Sequence, residues 1–244
     1  MASKIKTVFI DIDGTLTDNF HIHVKGWKAI VNFLGGNISD EFFEQLHGAN
    51  TETAIKMIAS KCNCVLSDND LKFLVNMKNL IRNYEINKLD SSNLFDGVIP
   101  FLVSLQKEDI RIVCCSITTA YELLLTNLGI ISYFTDFVCG SEMKVLKSVS
   151  PSCFINYIEQ NNLSQSECIV IDDDIDVINN LKNHSKINYV RAGARGICHD
   201  NSIPCILDFK KVNLETLNAI ATSTLASHTS HRNTKTSQRT CLNT

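Results

Sequence analysis

Apolar and polar positions follow two different rhythms along this chain. Near the start, Val8, Phe9 and Ile10 make a short continuous apolar run, the pattern of a strand buried on both faces, and Asp11 and Asp13 follow at once. From about residue 20 to 90 the period becomes helical. "VKGWKAIVNFLGG" (24–36) sets Trp27, Ile30, Val31 and Leu34 on one face and ends in glycines. "SDEFFEQLHG" (39–48) opens on a serine suited to an N-cap, with acids in the first turn. "NTETAIKMIASK" and "SDNDLKFLVNMKNLIRNYEINKL" read the same way, with Ser67 and acids opening the longer helix.

Beyond residue 95 short β-rich runs take over: "IRIVCCS" (110–116), "YFTDFVCGS" (133–141), "CIVIDDD" (168–174) and "INYVRAG" (187–193). Helical stretches separate them: "YELLLTNLG", "SCFINYIEQNN" and "DVINNLKNH". Strands alternating with helices predict an α/β fold, a Rossmann-like doubly wound parallel sheet. Residues 1–18 and 95–215 are expected to form that core domain, with 19–94 inserted as an all-helical cap domain. From residue 222 the composition turns to Ser, Thr, Asn and basic residues with few large apolar groups, so 222–244 is expected to be a disordered tail. Its end, "CLNT", is a poor prenylation box.

Composition narrows the picture only a little. Hydrophobic residues at 44% and charged residues at 20% are ordinary for a globular chain of 244 residues. A formal net charge of −3 leaves no basic footprint, so nucleic acid is not expected as a partner. The N-terminal apolar run is too short for a signal peptide and ends in acids, and nothing approaches a membrane span. Ten cysteines raise the question of disulfides. Cys114, Cys115, Cys139, Cys168 and Cys198 sit in or beside apolar runs, where thiols pack as small hydrophobes. Cys62 and Cys64 have no second pair at zinc spacing. A cytoplasmic protein is therefore expected. No feature points to a protein partner or away from membrane-free solution.

The acids change the picture most. Carboxylates beside an apolar core are costly unless something compensates them. Asp11 and Asp13 follow the first strand, Ser116 ends "IRIVCCS", and Asp172, Asp173 and Asp174 end "CIVIDDD". In an open parallel sheet, ligands bind beyond the carboxyl ends of the strands, so these groups should share one crevice. Clustered carboxylates are relieved by a hard divalent cation, and Mg²⁺ suits a site with few protein oxygens. One aspartate could then attack phosphorus while a second, two residues on, trades a proton with the leaving group. The Ser116 hydroxyl and nearby backbone N–H groups would hold the phosphoryl oxygens, with a lysine balancing charge.

"DIDGTLTD" at 11–18 resembles the first motif of the haloacid dehalogenase superfamily, DxDGT[LV]. "HVKGWKAI", "ISDEFFEQLHG" and "SECIVIDDD" are similar to the cap and the last acidic motif of its β-phosphoglucomutase-like subfamily, and the likeness runs from Lys4 to about Lys211. The resemblance implies Asp11 as nucleophile and metal ligand and Asp13 as general acid/base, with its backbone carbonyl on the metal. Asp172 and Asp173 would complete the Mg²⁺ site. Ser116 matches the second motif, and Gly14, Thr15, Ile117 and Thr118 lie in the two motif loops as candidates for substrate contact. His23 falls where the mutases place a histidine between cap and core.

Three positions depart from that pattern. The third motif normally sets a lysine directly before a Pro-x-Pro pair; in "VLKSVSPSCF" that position is Ser148, and Lys147 stands one residue early. Thr51 occupies the place of the cap arginine with which the mutases grip a second phosphate, and only His47 nearby offers a weak substitute. Thr119 replaces a lysine that follows the second-motif serine. Threonine cannot reproduce a bidentate guanidinium grip. The expectation is therefore an enzyme hydrolysing a small phosphorylated metabolite, such as a sugar phosphate. A sugar phosphomutase and a binding protein of low turnover are the alternatives.

Overall fold

The computed structural model describes residues 4–46, 48–140, 145–192 and 203–223. Six parallel strands form one sheet in the order β3-β2-β1-β4-β5-β6. They are β1 (Thr7–Ile10), β2 (Arg111–Ser116), β3 (Asp136–Cys139), β4 (Cys168–Asp172), β5 (Asn188–Ala192) and β6 (Cys205–Ile206). The first strand is the centre of the sheet: Thr7 pairs with Arg111 on one side and Cys168 on the other. Its run of apolar residues serves both faces. Val8 and Ile10 join one core, and Phe9 joins the other, where it meets Phe154 and Tyr157 edge-on.

Four helices precede the second strand: α1 (Phe20–Phe33), α2 (Asp40–Glu44), α3 (Thr51–Lys61) and α4 (Asp68–Ile86). They close around their own core of Trp27, Ile30, Phe43, Ile55, Ile58 and Leu74, so the insertion is a helical cap. The starts obey local chemistry. The Asn50 side chain accepts from the Thr53 N–H, and Ser67 and Asp70 exchange side-chain-to-backbone bonds in a capping box. Ser39 stands at the N-cap of α2, but its side chain bonds Glu41 instead of capping a backbone N–H. On the sheet domain, α5 (Val98–Lys107) and α6 (Tyr121–Asn127) cover one face; α7 (Ser152–Gln160) and α8 (Ile175–His184) cover the other.

Two elements lie outside those the pattern predicts, α5 and β6; a further helix spans 214–223. The α5 segment carries Pro100, which reads as a breaker but falls in the first turn, where the missing N–H would have no partner anyway. Strand β6 is two residues long, too short for a periodicity to register. The tail expected over 222–244 begins later than that, since Thr222 and Ser223 still belong to the helix at 214–223; 224–244, His47 and Cys198 lie outside the described residues. Among the described residues seven cysteines are free thiols; Cys114, Cys115, Cys139 and Cys168 are buried as the apolar runs suggest, Cys153 is buried too, and Cys205 at the sheet edge is disulfide-bonded. Among the described residues no helix is long and apolar enough to cross a membrane.

Candidate active site

Asp11 and Asp13 leave the end of β1, Ser116 ends β2, and Asp172 ends β4 with Asp173 next. Since β1 lies between β2 and β4, those three ends converge where the strand order changes direction, the switch point of the sheet. Asp11, Asp172 and Asp173 are buried, and each offers a carboxylate oxygen within 4.8 Å of the others. Lys147 reaches into the same cluster. Its Nζ lies 2.5 Å from Asp11 Oδ1 and 2.6 Å from Asp172 Oδ2, and donates to the Cys115 carbonyl at 3.3 Å. All three ammonium hydrogens thus have an acceptor.

The one-residue displacement of this lysine is absorbed by a tight turn. The N–H groups of Val149 and Ser150 both donate to the Leu146 carbonyl, at 2.9 and 3.1 Å, and the Asn180 amide donates to the Ser148 carbonyl at 2.5 Å. Lys147 is thereby turned inward, buried, while Ser148 holds the turn to α8.

The loop after β1 is shaped around Asp173. Gly14 adopts φ +85°, and a methyl group on it would collide with the Asp173 carboxylate, so only glycine brings the backbone this close. Thr15 Oγ1 donates to Asp173 Oδ1 at 3.3 Å, and Arg191 Nε donates to the Asp173 carbonyl at 2.9 Å. The Asn19 amide donates to Asp13 Oδ1. After β2, Ser116 Oγ accepts from the Thr118 N–H at 3.4 Å, and Thr118 Oγ1 accepts from the Ala120 N–H at 3.3 Å. Ile117 and Thr118 line the cleft beside them.

Electrostatics show what this cluster lacks. Burial raises Asp11 and Asp13 above the usual carboxylate range; Lys147 opposes it at Asp11 and the Asn19 bond opposes it at Asp13. Burial pushes Asp172 up to about 7, with Lys147 opposing and Asp11 adding. Burial, then repulsion from Asp11 and Asp172, pushes Asp173 up to about 8. Burial alone would depress Lys147, but the carboxylates of Asp11 and Asp172 hold it well above its ordinary value. One lysine does not neutralise these four acids. An all-oxygen donor set with surplus negative charge fits a hard divalent cation, and Asp11, Asp172 and Asp173 are the groups that could hold it.

A cavity of about 510 Å³ opens above this cluster, roofed by the cap. His23 on α1 and Thr51 at the start of α3 both line it. The sequence singles out only Thr51 and His47 for this side of the cavity. Lys78 and Arg82 on α4 line it too, at 3% and 6% exposure. The Lys78 Nζ sits 3.2 Å from His23 Nδ1 and 3.4 Å from Thr51 Oγ1. These two cations were legible after a fashion. The buried seam of α4 runs Leu74, Lys78, Arg82, Ile86, so two charges interrupt an apolar row at i, i+4 spacing.

Sheet, buried aspartate cluster and roofing cap together define an α/β enzyme of the phosphoryl-transfer kind. The family model for haloacid dehalogenase-like hydrolases matches residues 5–183. The chain belongs to that family. The β-phosphoglucomutase of Bacillus subtilis is 26% identical over 173 residues, covering 69% of this chain and 75% of that protein. The crystal structure of β-phosphoglucomutase from Clostridium difficile superposes with a TM-score of 0.79 at 21% identity, over 91% of this chain and 99% of that one. A protein described as a predicted phosphoglycolate phosphatase from Haemophilus somnus gives 0.70 at 15% identity, over 86% and 97%.

Proposed function

We propose that this protein is a Mg²⁺-dependent phosphatase of a small phosphorylated metabolite, a sugar phosphate above all, acting in the cytoplasm through an aspartyl-phosphate on Asp11. The observation that carries the reading is the Asp11 carboxylate itself, buried at the switch point with Lys147 at 2.5 Å and two further carboxylates beside it. Asp11, Asp172 and Asp173, with the Asp13 carbonyl, would hold the cation, which supplies charge neutralisation at the phosphoryl oxygens. An Asp11 oxygen attacks phosphorus, the ester P–O bond breaks, and Asp13 gives its proton to the departing oxygen. Burial shifts Asp13 toward its protonated form, the direction a general acid needs, and the Asn19 bond fixes its orientation. Water then attacks the phospho-aspartate, Asp13 takes up the proton, and phosphate leaves with Asp11 restored. Lys147, the Ser116 hydroxyl and the N–H groups of Ile117 and Thr118 hold the phosphoryl oxygens through both steps. Gly14 and Thr15 shape the opposite wall, and His23 and Thr51 meet the substrate from the cap.

A sugar phosphomutase is the second reading. Lys78 and Arg82 favour it, because they bring cations to the cap side of the cavity, where Thr51 offers none. The names of the relatives reach both activities.

Phosphate release from a panel of sugar phosphates and small esters, with Mg²⁺ and with EDTA, tests the proposal. Wild type should release phosphate only with metal, and Asp11→Asn should release none. If no ester is hydrolysed, but glucose 1-phosphate is isomerised with a bisphosphate primer, the mutase reading replaces it.

A further inference from the structure

Nine large apolar side chains stand exposed among the described residues, and four of them gather on one flank of the cap. Phe73, Leu80 and Tyr84 on α4 are each more than half exposed. So is Phe33 at the end of α1, whose ring meets that of Phe73 with centroids 5.4 Å apart. Met77, packed only in part against the cap core, completes the row. Phe73, Met77, Leu80 and Tyr84 recur at steps of four, three and four, the seam of a two-stranded coiled coil. Apolar residues scattered singly on a surface mean little, but a continuous row on one helix is a contact surface. This row is distinct from the one α4 buries, Leu74, Lys78, Arg82 and Ile86.

The exposed row is complementary to itself. Two copies of α4 turned antiparallel, about a point between Lys78 and Asn79, oppose Phe73 to Tyr84 and Met77 to Leu80, so every layer is apolar. One edge of the row carries amides, Asn69, Asn76 and Asn83, and identical helices bring no like charges together there. At the other edge Asp70 stands in the first turn and Lys88 just past the last. Antiparallel pairing sets Asp70 of each copy beside Lys88 of the other, whereas parallel pairing would stack acid on acid and lysine on lysine. The helix dipoles favour the same choice.

Size agrees with a second copy as the occupant. An aromatic side chain can bury ~150–250 Å², so these side chains leave on the order of 500 Å² open on each chain, about the largest patch a monomer carries. Two copies together reach about 1,000 Å², where specific interfaces begin. The stretch 224–244 could not fill such a seam, since Leu225 and Leu242 are its only large apolar residues.

We propose that the outer face of α4 is a self-association surface, on which a second copy of this chain packs antiparallel, α4 against α4, to form a two-fold dimer joined through the caps. The apolar layers supply the affinity, and Asp70 and Lys88 set the orientation. None of this depends on the activity proposed above.

Sedimentation velocity of the full-length protein over a concentration series tests it. Wild type should pass from the mass of one chain to that of two. Phe73→Glu and Tyr84→Lys, each alone, should weaken association about tenfold or more, because each sets a charge against an apolar ring. Both variants should keep the helical circular dichroism of wild type, since the replaced side chains are more than half exposed. Mixed in equal amounts, the two variants should recover the mass of two chains, because the new acid and the new lysine face each other only when the helices run antiparallel. Wild type that stays a monomer throughout, or that floats with phosphatidylcholine vesicles instead of pairing, would overturn the proposal. A dimer that survives Phe73→Glu, or a mixture that fails to pair, would do the same.

Discussion

Lys147 and Lys78 show how differently one side chain behaves in two buried surroundings. Lys147 is clamped between Asp11 and Asp172, so its charge is fixed across any working pH. Replacing it by alanine removes the cation facing the transferred phosphoryl oxygens. The expected loss in kcat/KM is about 10²–10³-fold, the range for deleting one electrostatic donor, measured as phosphate release at saturating Mg²⁺. The motif acids could be placed from sequence because a buried strand followed by DxDGT leaves few options. The position of Lys147 could not, since it depends on how the turn at 146–150 coils and on an anchor from Asn180, far along the chain. Lys78 and Arg82 were harder still. A cation inside a helical pattern is normally counted on the solvent face, and only the neighbours at Leu74 and Ile86 show that this row is buried.

Among the elements, α4 does the most for the cavity, and its stability is set far from it. Ser67 and Asp70 close a capping box at its first turn, while the two cations stand in its third and fourth turns. Ser67→Ala should therefore lower global stability by about 1 kcal/mol in a urea titration and leave the kinetics nearly unchanged. Element existence was readable wherever a period ran long enough: α3, α4, α7 and α8 begin within a residue of where the pattern sets them. The first cap helix starts four residues ahead of its apolar pattern: Ile22 packs into the sheet-domain core, while Phe20 packs against the cap core beside Trp27. A short edge strand and a helix with proline in its first turn left no usable signal.

Taken as a whole, the molecule stores negative charge at the centre of its sheet, and its stability should report that. Asp172 and Asp173 hold protons in the folded metal-free state up to about 7 and 8, against 3.8 for the ordinary carboxyl. The native state then binds more protons than the unfolded one over that interval, so stability falls as pH rises through it. In EDTA the thermal midpoint should drop between about pH 5.5 and pH 8.5, and saturating Mg²⁺ should remove most of the drop by stabilising the ionised carboxylates. A midpoint that rose with pH in EDTA would contradict the electrostatic picture of the site.

The central position of β1 has a consequence for how the chain reaches this state. Its two partners begin at Arg111 and Cys168, so the strand bearing the nucleophile waits for distant segments on both sides, the second of them far beyond the midpoint of the chain. The cap helices lie between, with contacts that are local in sequence and a core of their own. Folding should thus run through the inserted segment first and the sheet last, the slow step being closure of these long-range parallel pairings. Until then the ribosome-bound chain carries unpaired a strand whose every residue is buried in the native sheet, and nascent copies should depend on being kept apart from one another.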